Sequence, residues 1–319
     1  MNPNRIDPAV VAFSSFVLAM MLWIVVAQIS MLVDRIRGRP IGGESLLRRV
    51  PWNAKTTLGF VLLWVFFQIV GAIVAGPEQS ARAMMTQIAV TNAFLIVAGP
   101  ILLARGSRLS HSELALLGPA PGASFLRGVA TWPKVAPYIF GLYALAIRVW
   151  PAAKHPVEEM MRARQDAGTS TLAFLGAVIL APAAEELLFR GVLLGALASI
   201  RLPNSNPTPT TTEPAESEIQ YVESTEAPPE TEPMGKTTDR GGSSVRFWCA
   251  NITISVIFAM MHGPIWPSPI PLFLLSLALG VLYRRTGGIA APIGLHMVFN
   301  GVSTLMLQLS LAAGQAAAP

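Results

Sequence analysis

The sequence predicts an all-α polytopic membrane protein, in which about eight transmembrane helices form a bundle with an intramembrane polar cavity. Hydrophobic residues make up 52% of the 319 residues and charged residues only 13%, about half the charged share of a soluble domain. Uncharged apolar runs of 19 residues or more recur, and each is long enough to cross a bilayer as a helix. A few charged and polar residues lie inside such runs, where they are costly unless they face one another.

Charged or polar connections separate the apolar runs and so define the expected spans. These spans cover residues 10–33, 57–76, 83–104, 135–153, 169–200, 247–261, 265–283 and 289–311. The fourth span is weak, because Arg148 interrupts it and must extend its charged end toward the membrane surface. Residues 169–200 would make about 48 Å of helix, too long for one upright span. We therefore expect a kink at Pro182 or a break after Arg190.

Basic residues concentrate in the loops after the first and third spans, within residues 35–55 and 105–134. We expect both loops to face the cytoplasm, with the N-terminus outside. Positive charge at this position attracts anionic lipid, so the net charge of +5 does not indicate nucleic-acid binding. Residues 154–168 carry charges of both signs and are expected to form an interfacial helix. The single cysteine, Cys249, excludes an internal disulfide and a cysteine-based metal cluster.

Residues 203–244 differ in composition from the rest of the chain. Proline, threonine, glutamate and serine dominate there, and eight acidic residues stand against two basic ones. Such a segment has too little apolar surface to offset its ordering entropy, so we expect a disordered acidic insertion. The expected parts are N-terminal helices with basic loops, the first motif-bearing helix, the insertion, the remaining core helices and a tail: 1–168, 169–202, 203–244, 245–311 and 312–319.

The first candidate site is a group of three charged residues at the end of an apolar run. Glu186 and Arg190 stand four residues apart on a helix, in the order that favours an ion pair. Glu185 lies about 100° away around the helix and has no partner in its own segment, so it is a candidate general base. The alternative is a helix end whose charges are solvated at the membrane surface.

Two further pairs of residues stand one helical turn apart in later apolar runs. Phe258 and His262 would place an aromatic ring and an imidazole on one helix face, and His296 and Asn300 would share another. These polar groups and the earlier Glu–Glu–Arg group cannot all face lipid, because each would lack a hydrogen-bond partner. We therefore expect one shared polar cavity, and such groups in a membrane protein are typically functional.

Two chemistries use the same residues and stay open at this point. In the first, a carboxylate and one histidine hold and deprotonate a water for hydrolysis, while the second histidine and the asparagine amide donate hydrogen bonds to the developing oxyanion. In the second, Glu185, His262 and His296 form a two-histidine, one-carboxylate site for a divalent metal such as zinc, with Asn300 orienting or ligating.

The order of these motifs resembles that of a known family. The segments APAAEELLFRG and RTGGIAAPIGLHMVFN, with the Phe258–His262 pair between them, are similar to the CAAX-protease and bacteriocin-processing (CPBP, Abi-related) proteins. That family includes type II prenyl-protein endopeptidases and lysostaphin-resistance-type proteins. The resemblance covers residues 169–308 without the insertion.

The resemblance implies a helical intramembrane endopeptidase whose cavity faces the cytosol. By analogy, Glu185 and His262 would activate water, His296 and Asn300 would stabilise the oxyanion, and Glu186 with Arg190 would position the first glutamate. Family members are described as glutamate-type and as metallo-type proteases, so a metal stays open. The implied partners are the bilayer of a bacterial cytoplasmic membrane and a hydrophobic or lipid-modified protein substrate. The rival function is a non-enzymatic membrane protein of the same fold in bacteriocin immunity, scaffolding or export.

Overall fold

The computed structural model of the chain describes residues 7–38, 50–75, 81–110, 114–151, 167–199 and 240–316. These residues contain eight long helical segments and no strand. In chain order they are α1 (Pro8–Ile36), α2 (Ala54–Ala75), α3 (Ala81–Ser107), α4 (Pro121–Val149), α5 (167–199), α6 (Arg240–Met260), α7 (Pro269–Thr286) and α8 (Ala290–Ala316). Each of the eight expected spans overlaps one of them, so the predicted fold class is confirmed.

Five of the helices are long and apolar enough to cross a membrane by themselves: α1, α2, α3, α5 and α8. The other three are shorter or more polar. One of them, α7, carries Leu275 and Leu279 with no exposed surface, since it packs against protein on several sides. A helix that contacts other helices can be less apolar than one surrounded by lipid. The chain is an integral membrane protein with several apolar spans.

The helix α5 is the most buried of the five candidate spans, and its geometry is irregular. Two π-helical stretches, Gly176–Leu180 and Leu187–Leu194, lie on either side of the short α-helical piece Ala181–Glu186. Seven of the eight residues of the second stretch are buried. The expected break after Arg190 is wrong, because the helix continues through it to residue 199. The π-helical stretches absorb the irregularity instead.

Some predicted boundaries differ from those observed. The fourth helix begins at Pro121, not near residue 135, because the polar first half of α4 packs on α8 and needs no lipid-compatible surface. Residues 240–244 begin α6, although they were predicted as part of the insertion. The rest of that insertion, the expected interfacial helix up to residue 166, and the end of the tail from residue 317 lie outside the described residues.

Two side chains of the N-terminal helix α1 make specific contacts with α4. Trp23 stacks on Trp132 of α4, with ring centroids 5.3 Å apart. The Gln28 amide donates to the main-chain carbonyls of Pro133 and Lys134, both at 3.1 Å. The carbonyl of Pro133 would normally accept from the N–H four residues later, but that residue is Pro137, which has none. A proline thus exposes a carbonyl in α4, and an amide from another helix pairs with it.

The helices α4 and α8 approach closely through a glycine on each. A Cβ at Gly128 would overlap the carbonyl oxygen of Ala291, and one at Gly294 would overlap that of Phe125. Because the obstacle in both places is backbone, a side chain could be accommodated only if the helices separated. This contact fixes α8, which carries His296 and Asn300, against α4.

We expect Gly128→Ala to lower stability by about 1–3 kcal/mol, the usual cost of overpacking a tight contact. Gly141→Ala in the same helix is the matched control, since no described atom beyond the nearby backbone of its own helix lies within 4 Å of its added Cβ. Replacing an interior helical glycine with alanine there should stabilise the protein by about 0.5–1 kcal/mol. Thermal unfolding of both variants in detergent measures the difference. Equal melting temperatures for the two variants would contradict the packing argument.

Candidate active site

A cavity of about 480 Å³ lies between α4, α5, α8 and the turn that follows α6. All four predicted catalytic residues line it, together with Phe258. The prediction that Glu185, His262, His296 and Asn300 share one cavity is therefore confirmed, whereas their catalytic roles remain predictions. The remaining wall is largely apolar and includes Ile139, Phe140, Tyr143, Leu272, Phe299, Met306 and Leu307.

The two adjacent glutamates occupy different environments. The Glu185 side chain is 30% exposed and lines the cavity, whereas those of Glu186 and Arg190 have no exposed surface. Arg190 Nη1 donates to Glu186 Oε1 at 3.0 Å, which confirms the predicted ion pair. Two charges without solvent require such a pairing, because a lone charge in this setting is costly.

The guanidinium of Arg190 has further partners that the sequence did not indicate. Its Nη2 donates to the hydroxyl of Ser276 at 2.7 Å and to the main-chain carbonyl of the same residue at 3.1 Å. Its centre also lies 4.9 Å from the ring centroid of Phe258, within cation–π distance. Ser276 was missed because an uncharged serine within an apolar helix carries little signal. These contacts connect α5 to α6 and α7.

His296 lies between the two glutamates. Its Nδ1 is 2.8 Å from Glu186 Oε1, and its Nε2 is 3.8 Å from Glu185 Oε2. Glu186 is paired with Arg190 and accepts through its oxygen, so Nδ1 of His296 is the donor in this bond. The bond sets the tautomer and ring orientation and leaves Nε2 on the Glu185 side. Glu186 therefore positions the histidine, whereas the resemblance implied that it positions Glu185.

His262 lies in the turn after α6, because that helix ends at Met260. The prediction that it shares a helix face with Phe258 is therefore wrong in detail. The two rings still lie in contact, with centroids 5.1 Å apart. The Nδ1 of His262 is 2.9 Å from the main-chain carbonyl of Phe258. Since a carbonyl can only accept, Nδ1 is the donor and Nε2 carries the lone pair that a water can use.

Asn300 reaches back to α5. Its Nδ2 donates to the main-chain carbonyl of Ala177 at 2.8 Å, within the first π-helical stretch. One N–H of the amide is committed by this bond, and the amide retains a second N–H and a carbonyl oxygen. The side chain thus lines the cavity in a fixed orientation.

The metal alternative requires Glu185, His262 and His296 to gather around one ion. Among the described residues, no group of three or more His, Cys, Asp or Glu side chains is arranged to ligate one metal ion. The Nδ1 atoms of His262 and His296 are both committed to protein oxygens. These bonds leave Nε2 of both rings available, as in histidines that bind a metal, so they do not decide between the two chemistries. We derive no step that passes through a metal.

A comparison with known protein families matches the part of the chain that carries this site. Residues 167–302 match the family model described as type II CAAX prenyl endopeptidase Rce1-like. The matched segment runs from the start of α5 into α8 and includes all seven residues that the sequence motifs singled out. No curated protein and no solved structure gives a significant match.

Proposed function

We propose that this chain, whose residues 167–302 match the type II CAAX prenyl endopeptidase model, is an intramembrane protease of that kind. It hydrolyses peptide bonds of membrane-associated proteins with a water activated by Glu185 and His262. One observation carries the proposal. Glu185, His262, His296 and Asn300 line one cavity. A side-chain nitrogen of each residue except Glu185 is hydrogen-bonded to a main-chain or carboxylate oxygen, which fixes its orientation. Such preorganisation is what a hydrolytic site requires.

In the first step, a water between Glu185 and His262 attacks the scissile carbonyl carbon. Glu185 takes its proton, since this is the glutamate that solvent reaches. Nε2 of His262 accepts a hydrogen bond from the same water and orients its lone pair toward the carbon. Glu186 cannot serve as the base, because it has no exposed surface and is paired on two sides.

The attack places negative charge on the former carbonyl oxygen. The second N–H of the Asn300 amide, and Nε2 of His296 when it carries a proton, are the donors that stabilise this oxyanion. The C–N bond then breaks, and the proton held by Glu185 passes to the leaving amine. The base is thereby regenerated as a carboxylate, and the site needs no other reactant.

The shape of the cavity supports a hydrophobic substrate segment. Apolar side chains form most of its wall, and the polar part of the lining includes Glu185, His262, His296 and Asn300. Pockets of this kind bind apolar groups and orient them with a few polar contacts. We propose that the substrate is a membrane-associated protein with a hydrophobic or lipid-modified C-terminal segment, cleaved close to that segment.

The proposal is tested with purified protein reconstituted in lipid vesicles. The probe is a membrane-tethered peptide with a hydrophobic C-terminal tail, supplied with and without a prenyl group on a cysteine. Mass spectrometry of the products should reveal new termini near the tail within the wild-type reaction. The opposite outcome is that neither the probes nor native membrane proteins acquire new termini, although loss of the gene still alters the cells. That result would support the non-enzymatic alternative.

We expect the activity to survive chelation. Incubation with 1,10-phenanthroline, followed by removal of the chelator and assay in metal-free buffer, should leave the peptidase rate within about twofold of the untreated rate, because no proposed step uses a metal. A zinc-dependent peptidase reconstituted in the same vesicles is the positive control. Loss of activity that added zinc restores would contradict the proposed mechanism and support the metal alternative.

A further inference from the structure

We propose that Pro182 is a positioning residue, which acts through the carbonyl of Ala177 to orient the amide of Asn300. The inference rests on the proposed function, because it assigns Asn300 a place beside the oxyanion. A proline inside a helix normally destabilises it, since the residue lacks an N–H and its ring crowds the preceding turn. Pro182 lies in α5 three residues before Glu185 and is buried, so another reason for its place is required.

The backbone register of α5 explains how the carbonyl of Ala177 becomes accessible. In the first π-helical stretch, the N–H of Ala181 bonds to the carbonyl of Gly176, five residues earlier. In that register the next donor would be residue 182 and the next acceptor Ala177. Residue 182 is proline, so it provides no donor. A carbonyl inside a membrane helix needs a partner from elsewhere.

The amide of Asn300 supplies that partner. Its Nδ2 lies 2.8 Å from the carbonyl oxygen of Ala177, across an interface between α8 and α5. The two helices are in direct contact here, since an added Cβ at the adjacent Gly301 would lie 3.4 Å from Cγ1 of Val178. The bond fixes which face of the amide points at the cavity. Without it, the amide would be free to rotate and would spend part of its time turned away from the reacting carbonyl.

The same device occurs independently at the other side of the bundle. Pro137 leaves the carbonyl of Pro133 without its usual helical donor, and Gln28 of α1 provides an amide. In both places a proline exposes a main-chain carbonyl inside the membrane, and an amide on a distant helix binds it. At Pro133 the amide docks a helix, whereas at Ala177 the amide belongs to the cavity.

The first test is the substitution Pro182→Ala, which restores an N–H at the position that the register needs. The new N–H can then bond to the carbonyl of Ala177 and compete with the amide of Asn300 for it. We expect kcat on the tethered peptide to fall about tenfold or more, as misplacement of a catalytic group does, with KM within about twofold. The melting temperature should stay equal or rise. Pro182→Ser restores the same N–H and should behave alike, which covers failure of one variant to fold.

Pro100→Ala is the matched control, because Pro100 lies inside α3 and outside the cavity lining. It should leave kcat unchanged. The decisive comparison is the double variant Pro182→Ala with Asn300→Ala. If Pro182 acts through Asn300, the double variant is no slower than Asn300→Ala alone. If the losses in kcat of the two single variants multiply in the double variant, the inference is overturned. It is also overturned if Pro182→Ala lowers the melting temperature so far that unfolding accounts for its loss of rate.

Melting temperatures of the wild type, Pro182→Ala, Asn300→Ala and the double variant test the inference without an activity assay. Asn300→Ala should lower the melting temperature by about 2–4 °C in the wild-type background, because it leaves the carbonyl of Ala177 unpaired. It should have a much smaller effect beside Pro182→Ala. If the melting temperatures show this coupling but the protein cleaves no probe, the proposed function is refuted while the contact between Asn300 and the carbonyl of Ala177 is supported. Equal effects in both backgrounds would refute the contact, whatever the activity.

Discussion

Replacing Glu185 with glutamine is expected to lower the peptidase rate at least about 100-fold, the smaller end of what a general base contributes, with no loss of stability. Glutamine keeps the size of the side chain and its ability to hydrogen-bond, but it cannot take a proton from water. The carboxylate is 30% exposed, and its Oε2 lies 3.8 Å from Nε2 of His296, beyond hydrogen-bond distance. No buried ion pair is broken, so the melting temperature in detergent should match that of the wild type.

The experiment compares initial rates on the tethered peptide with thermal unfolding of the same preparations. Asp7→Asn is the matched control for the change from carboxylate to amide, since Asp7 caps α1 through a bond to the N–H of Ala9 and asparagine caps equally well. It should alter neither measurement. A Glu185→Gln variant with a nearly normal rate would remove Glu185 from the chemistry and leave His262 as the base.

Local interactions in this protein could be predicted from the sequence, and distant ones could not. The Glu186–Arg190 pair follows from a spacing of four residues within one helix, and the polar cavity follows from the cost of polar groups in lipid. The bond from His296 to Glu186 joins residues 110 positions apart. Its geometry depends on how α8 packs against α5. No spacing rule contains this information.

The helix ends show the same division. The start of α4 at Pro121 was missed because hydropathy measures suitability for lipid, and the first half of this helix is suited to packing on protein. Of the two irregularities expected in the span 169–200, the break after Arg190 does not occur, because the charge is paired with Glu186 inside the bundle and so does not end the helix. The contact of Asn300 with a main-chain carbonyl needed the π-helical register, and residue types do not reveal that register.

Glu186→Gln should have the opposite balance of effects, with the larger loss in stability. The substitution is nearly isosteric, and Oε1 can still accept from Arg190 and His296. The other oxygen, Oε2, is buried without a hydrogen-bond partner among the described residues, so the new amide group has little to pair with. What disappears is the negative charge beside a guanidinium that has no exposed surface. Breaking a buried pair in this way costs about 3–5 kcal/mol.

A second substitution separates charge from shape. If the unpaired guanidinium causes the loss, Glu186→Gln combined with Arg190→Met should regain much of the melting temperature, because buried pairs are often replaced by apolar residues at little cost. His296 should lose part of its orientation in both variants, so their peptidase rates should fall even where stability returns. The measurements are thermal unfolding and rate for the single and double variants. If the double variant is no more stable than Glu186→Gln, the unpaired charge of Arg190 is not the cause of the loss. Its contacts with Ser276 and Phe258 would then be the ones that stabilise it.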